Sequence, residues 1–413
     1  MRIAAHTLGC KLNFAETSDH LRRLSAEGHV VVDWGCEADL YLINTCTVTA
    51  VAEKKCRTAI RQAHRRNPEA QIVVMGCFAQ VAAEEIAALP GVTQVLGNES
   101  KRLLSYSNAD NHPSAGNSSR TRTFFKIQDG CDYFCTYCAI PYARGRSRSA
   151  SIEETLCAAR RIADTGTKEV VLTGVNTGTF GLHNGESFLD LLRGLDRIEG
   201  ILRYRISSIE PNLLTDDIID FVATSRAFLP HFHVPLQAGS DHVLQLMQRR
   251  YDTALYRDKL MKIKSAMPDA CIAADVMAGF NGENEEEFGK VLAFIDSLPI
   301  SYLHVFTYSD RPGTAALKLG EKVPVPVRRE HTARLLELSN RKHKAFIESQ
   351  LGKTRPVLWE GTKIQNSEFK IQNSEFLMQG WTDNYIRLSR PYDPTLVNTV
   401  TDEEIRPENI VRE

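Results

Sequence analysis

The 413-residue chain contains no apolar run near the ~20 residues that would cross a bilayer, so a spanning helix is not its organising feature. Its opening, MRIAAHTLGC, lacks the apolar core of a signal peptide, and a cytoplasmic location without a membrane partner is expected. Charge bias is missing as well: fifty Lys and Arg against fifty-one Asp and Glu leave a net charge of −1. A basic coat over the whole molecule is thereby excluded, though local basic patches are not. Histidine offers little, since none of the twelve falls at a ligand or triad spacing. His231 and His233 alternate on one strand face and could point into a barrel, but they read as satisfied core residues. What the chain does have is ten cysteines on an ordinary globular background of 43% apolar and 24% charged residues. In a reducing compartment such cysteines bind metal or catalyse rather than pair as disulfides.

At ~150 residues per domain the length suggests two or three domains. In residues 1–106, short Val/Ile/Leu-rich runs at 3–10, 30–34, 39–46, 71–77 and 92–97 alternate with helical patterns at 14–27, 50–66 and 79–88. That alternation predicts an open parallel sheet covered on both faces. Residues 107–122, polar and turn-rich, read as a linker. From 123 to 348 the beat lengthens, with strands expected at 124–130, 169–176, 203–209, 231–237, 271–280 and 302–309. Helices between them are clearest at 151–164 and 284–297. Six such units predict a barrel or most of one, with chemistry at the carboxyl ends of its strands. A charged helix at about 327–349 leads into a small β module over 349–413. Inside that module KIQNSEF occurs twice, at 363–369 and 370–376, too few copies for a solenoid, and reads as a silent hairpin extension.

Cys131, Cys135 and Cys138 form Cys-x3-Cys-x2-Cys directly after the first barrel strand. Three thiolates on one short loop can hold three irons of a 4Fe-4S cube and leave the fourth iron open. An open iron can chelate the amino and carboxylate groups of S-adenosylmethionine. Structural zinc is the competing reading, but it usually takes a second knuckle or nearby histidines, and neither is present. Cys10, Cys46 and Cys77 each end a predicted strand of the first domain, in LGCKLN, NTCTVT and MGCF. Ligands bind outside the carboxyl ends of strands in an open parallel sheet, so the trio is predicted to converge on one rim as a second three-thiolate site. Three small buried hydrophobes are the bland alternative. Cys36, Cys56, Cys157 and Cys271 fit neither set and read as structural.

LGCKLN, NTCTVT, the MGC strand end, GCDYFCTYCAIPYARGRSRS, LTGVNTGTFG, FHVPLQAGSDHVLQLMQRRY, DVMAGFNGE and HVFTYSDRPGTAA together resemble the radical-SAM methylthiotransferases. They run in family order over residues 3–320, and the tail resembles the family's RNA-binding TRAM module. NTCTVT followed by AVAEKKCR is most similar to the MtaB-type branch, which acts on threonylcarbamoyladenosine beside the tRNA anticodon. The branch acting on isopentenyladenosine is the nearer alternative; an RNA-binding protein with structural zinc is the alternative outside this chemistry. The resemblance implies a partial (β/α)6 radical-SAM barrel between the first domain and the tail. It further implies two 4Fe-4S clusters, on Cys10, Cys46 and Cys77 and on Cys131, Cys135 and Cys138, and S-adenosylmethionine as cofactor. A tRNA substrate and a reductant protein such as flavodoxin or ferredoxin follow as partners. The reaction implied is methylthiolation at carbon-2 of an adenine, whose C–H has no useful acidity for a general base to exploit.

For the adenosylmethionine pocket the strand-end residues are the candidates: Tyr137, Gly174, Asn176, Ser208, Glu210 and Gln237. Asn281 and Thr307 stand where the family usually has proline, which loosens turns without removing a ligand. Lys54, Arg57, Arg61 and Arg65 lie on one face if 54–66 is helical. With Arg144, Arg146, Arg148, Arg249 and Arg250 they are candidate phosphate contacts, although Arg144 and Arg249 could instead serve the cofactor pocket. Trp359, Trp381 and Tyr385 read as the core of the β module more than as base-stacking residues.

Overall fold

A computed structural model describes residues 1–98, 121–361, 364–365 (backbone only) and 376–411. The expected linker, apart from its last two residues, and nearly all of the KIQNSEF repeat lie outside the described residues; Arg122 already belongs to a strand.

The first sheet is parallel throughout, in the order β2-β1-β3-β4-β5. Its strands are β1 (Arg2–Thr7), β2 (Val30–Val32), β3 (Leu40–Thr45), β4 (Gln71–Gly76) and β5 (Val92–Leu96). Tyr41, Ile43, Ile72 and Val74 are buried against Ala59, Ile60 and Ala63 of α2 (Ala50–Arg66). Thr49 caps α2 by accepting from the Ala52 N–H. On the other face lies α1 (Lys11–Ala26), which begins three residues before its expected start and has Cys10 as its N-cap. The single helix expected at 79–88 is instead two short ones, α3 (Cys77–Val81) and α4 (Ala83–Ala87), because the backbone leaves the helical region at Ala82. Strand order reverses between β1 and β3, so the loops carrying Cys10 and Cys46 flank the sheet's switch point.

Six parallel strands build the middle layer: β6 (Arg122–Lys126), β9 (Glu169–Thr173), β10 (Arg203–Ile206), β11 (His231–His233), β12 (Cys271–Ala278) and β13 (Tyr302–Thr307). The short β7 (Gln128–Asp129) and β8 (Arg148–Ser149) pair beside them. Order β10-β9-β6 joins β11-β12-β13 through bridges at Tyr204–Phe228 and Ser208–His233, giving an open six-stranded barrel. Outward positions Val170, Leu172, Phe232, Val234, Ile272, Val276 and Leu303 pack beneath the helices. Inward positions alternate with them and are polar: Glu169, Arg205, His231, His233, Asp275 and His304. A closed barrel of this type is normally filled with branched apolar side chains; this lumen is not. The two histidines therefore do face the lumen. His233 meets Asp275 at 2.8 Å, but His231, buried, has no partner on either ring nitrogen, which corrects its reading as a satisfied core residue.

The last sheet is antiparallel, from β14 (Thr354–Trp359), β15 (Ile364–Gln365), β16 (Phe376–Thr382), β17 (Arg387–Pro391) and β18 (Val400–Glu404). Trp359 is buried in its core with Met378 and Leu388. This sheet closes the amino-terminal floor of the barrel: Tyr385 stacks on His231 at 4.4 Å, and Arg205 donates to the carbonyls of Thr382 and Asp383 at 2.7 and 2.8 Å. Among the described residues no helix is long and apolar enough to cross a membrane.

Candidate active site

The first cysteine trio is assembled by tight backbone. Gly9 has φ +106°, and a Cβ there would sit 2.8 Å from the Cys46 Cβ, so only glycine lets the Cys10 loop approach Cys46. Gly76, at φ +103°, likewise lets Cys77 turn in over β3, where a Cβ would meet the Asn44 Oδ1 at 2.4 Å. The thiols of Cys10, Cys46 and Cys77 are close enough to act on one another electrostatically. Asn13 locks the rim: its amide donates to the carbonyls of Leu8 (2.8 Å) and Thr45 (3.1 Å), which ties the Cys10 and Cys46 loops together. Burial pushes the Cys46 thiol up to about 12, with the neighbouring thiols adding to the rise. Cys56 backs this loop, its sulfur 3.5 Å from the Cys46 N–H.

The second trio sits on the loop between β7 and α5 (Ile140–Arg144). Thr136 anchors that loop, its N–H and hydroxyl bonding the carbonyls of Met247 and Leu246 at 3.1 and 2.8 Å. Cys131 is pushed up to about 11 and Cys138 to about 12, both chiefly by burial. Arg249 opposes that trend: its guanidinium is 3.1 Å from the Cys135 sulfur and 3.2 Å from the Tyr137 hydroxyl, and is ion-paired with Glu210. The Ile140 N–H lies 3.4 Å from the Cys138 sulfur. Hydrogen-bond donors aimed at thiolate sulfurs suit an iron–sulfur ligand set. Single zinc would draw its thiolates to ~3.8 Å from one another at a Zn–S bond of ~2.3 Å. Among the described residues no three cysteine sulfurs lie within 4.8 Å of one another.

One buried seam joins the trios. Arg144, six residues after Cys138, donates to Asn13 (2.6 Å), Glu16 (3.0 Å) and Asp129 (2.9 Å), and its charge acts on Cys10 and Cys77. Asn98 donates to the Ala143 carbonyl at 2.7 Å and lies 3.8 Å from the Cys77 sulfur. Arg311, in the loop after β13, donates to Thr47 at 3.1 Å and pairs with Glu53. Arg144, Asn98 and Arg311 thus tie the loops of the first trio to the barrel segments that follow Cys138 and β13.

A scan against family models matches residues 2–97 to "Uncharacterized protein family UPF0004" and residues 125–295 to the "Radical SAM superfamily". The threonylcarbamoyladenosine tRNA methylthiotransferase MtaB of Bacillus subtilis is 39% identical over 94% of this chain and 89% of its own length. Its namesake from Aquifex aeolicus is 37% identical, over 86% and 91%. The chain belongs to the radical-SAM tRNA methylthiotransferases. The Desulfitobacterium hafniense tRNA-2-methylthio-N(6)-dimethylallyladenosine synthase is also similar, at 30% identity over 99% of this chain and 95% of its own. In fold, the chain resembles the radical S-adenosylmethionine methyltransferase TsrM of Kitasatospora setae, with a TM-score of 0.52, 13% identity and 74% of each chain covered.

Against this methylthiotransferase frame, the pocket candidates gather at one barrel rim. Gly174 fits closely on Gln128, whose Oε1 accepts from the Val175 and Asn176 N–H groups at 2.9 Å. Asn176 is buried at the end of β9, with its amide beside the Tyr133 hydroxyl. Ser208 bridges to His233, and Gln237, at φ +65°, bridges to Val276. Tyr137 stands edge-on to Phe280, with centroids 6.2 Å apart. Asn281 is buried and donates to the Ala316 carbonyl at 2.8 Å, which holds the turn where the family has proline. Several candidate phosphate contacts already have partners within the protein: Arg57 pairs with Glu85 at the surface and covers Phe78, Arg148 pairs with Asp129, and Arg144 is buried. Lys54, Arg61, Arg65 and Arg146 remain exposed. Sequence reasoning missed Asn13, Glu16, Asn98 and Gln128. Asn13 was visible as the end of LGCKLN, whereas Asn98 carried no signal.

Proposed function

We propose that this chain adds a methylthio group to carbon-2 of threonylcarbamoyladenosine next to the anticodon of a cytoplasmic tRNA. The reading is supported by the buried seam in which Arg144 bonds Glu16 and Asn98 bonds the Ala143 carbonyl, tying the segment after Cys138 to the elements that carry Cys10 and Cys77. Cys131, Cys135 and Cys138 would hold one 4Fe-4S cluster, and Cys10, Cys46 and Cys77 the other. Bound there with S-adenosylmethionine, these groups supply the one-electron and sulfur chemistry that an unactivated aromatic C–H requires.

The chain's own residues bind, orient and exclude water. Asn176, Ser208, Glu210 and Gln237 offer polar groups along the cofactor's edge of the rim, Gly174 gives close backbone approach, and Tyr137 closes the side. Arg249 stabilises the Cys135 thiolate, and Arg144 does the same for Cys10. Lys54, Arg61, Arg65 and Arg146 are available to the tRNA backbone, and the C-terminal sheet is a second RNA-contacting surface. A small electron-transfer protein of the flavodoxin or ferredoxin kind would reduce the radical-SAM cluster.

The substrate assignment draws on the methylthiotransferases whose printed substrate is threonylcarbamoyladenosine, which match at 39% and 37% identity. Nucleoside mass spectrometry of tRNA from a deletion strain tests it. The 2-methylthio form of threonylcarbamoyladenosine should disappear and its unmethylthiolated parent accumulate. Loss of 2-methylthio-isopentenyladenosine instead would overturn the assignment.

A further inference from the structure

The polar lumen beneath the rim has no part in holding the clusters, yet its charges are not balanced from within. Glu169 is matched by Arg203 (3.0 Å) and Arg205 (2.8 Å), Glu360 by Arg122 (2.8 Å), and Asp275 by His233 (2.8 Å). Arg203 and Arg205 thus share one carboxylate, and Lys11, first residue of α1 and next to Cys10, adds a further cation with no carboxylate of its own. Its side chain makes no hydrogen bond or ion pair among the described residues, while Arg205, Arg122, Asp275 and Glu169 are the charges that act on it. Two strand positions below His233 the buried His231 ring offers both nitrogens to the lumen without a partner. A buried polar group without a partner is costly unless something supplies one. The three groups His233, Asp275 and His304 also lie close enough to hold a metal ion. Lys11 and Arg205 nearby disfavour a further cation there, and the surplus positive charge favours an anion.

We propose that this lumen is the subsite for the anionic amino-acid substituent on N6 of the substrate adenosine, with Lys11 receiving its carboxylate and His231 forming the polar floor. The inference rests on the substrate reading above, since threonylcarbamoyl carries a single carboxylate and isopentenyl none. Location agrees: the Asp275 carbonyl accepts from the Gln237 N–H at 2.8 Å, so the lumen wall continues directly from the rim where the adenine must sit. Lys11 is here a specificity-determining residue. It aligns the base by its substituent and takes no part in the transfer.

The test uses the reconstituted full chain and two anticodon stem-loops, one with threonylcarbamoyladenosine and one with its methyl ester. Loss of a charged hydrogen bond predicts that wild type prefers the acid by about 10- to 100-fold in kcat/KM. In Lys11→Met that preference should fall towards unity, mostly through KM and through stem-loop binding measured without turnover. Lys11→Arg should keep it. Iron and sulfide content and uncoupled adenosylmethionine cleavage should match wild type in both variants. Equal losses on acid and ester, or an unchanged preference in Lys11→Met, would overturn the subsite. A wild-type enzyme that acts on isopentenyladenosine and ignores both stem-loops would instead overturn the substrate reading on which it stands.

Discussion

At the residue scale, the site is governed by a few charged side chains buried against sulfur. Arg249 shows the balance. Burial raises the Cys135 thiol, and the adjacent guanidinium is the largest influence lowering it again. Removing that charge as Arg249→Met should raise the thiol further and leave less of it as thiolate at fixed pH. Iodoacetamide labelling of Cys135 in metal-free protein should slow, and the chain should hold less iron after reconstitution. Glu210 would lose its partner too, so a lower Tm is expected, with Arg249→Lys intermediate in all three measurements. Unchanged labelling would mean that the contact does not tune the thiol. From the sequence, Arg249 was one of several basic residues with two open roles. Its commitment to Cys135 depends on the cysteine loop after β7 lying against the segment after β11, where Thr136 bonds the Leu246 and Met247 carbonyls, which spacing along the chain does not reveal. His231 was misread for the same reason: its strand face was legible, but the missing partner depends on what five other strands bring to the lumen.

At the element scale, the trio of the first domain depends on how loops leave the strands. The alternation of apolar runs and helical periods was enough to place the parallel sheet, because runs such as LYLIN and QIVVM can only be buried on both sides. It was also enough to put Cys10, Cys46 and Cys77 on one rim. The exact handover was not legible: Cys10 is a helix N-cap and Cys77 opens a helix, since φ-positive glycines turn the chain just before them. Gly9→Ala is therefore a sharp probe. It forces an L-residue into the left-handed region, at about 1–2 kcal/mol, and drives a methyl into Cys46. The expected result is selective, with iron and sulfide falling to about half of wild type while adenosylmethionine cleavage persists and methylthiolation stops. Loss of all iron would show that the two rims are not independent, and loss of none that the Gly9 turn is not needed to form the first.

At the scale of the whole molecule, the barrel is left open between β6 and β13 and is covered at its floor by the C-terminal sheet, and a single buried carboxylate organises that cover. Burial pushes the Glu169 carboxyl up, but Arg205, Arg203 and Arg122 together outweigh it and hold it below the usual range. Arg205 then donates onward to the Thr382 and Asp383 carbonyls, and Arg203 to that of Trp381 at 3.1 Å. A carboxyl whose folded pKa is depressed contributes stability that is present above its unfolded value of ~4.3 and lost as pH falls through the folded value. Glu169→Gln leaves two buried guanidinium groups uncompensated, a loss of about 3–5 kcal/mol for breaking a buried pair. The gap in Tm between wild type and variant should therefore be largest near pH 7 and should narrow as pH is lowered past ~4. Limited proteolysis at neutral pH should release the C-terminal sheet sooner from the variant, because the carbonyl contacts of Arg203 and Arg205 hold that sheet to the barrel. A Tm gap that stays constant down to pH 3 would show that Glu169 acts by shape alone, and the sheet would then be held by the stacking of Tyr385 on His231.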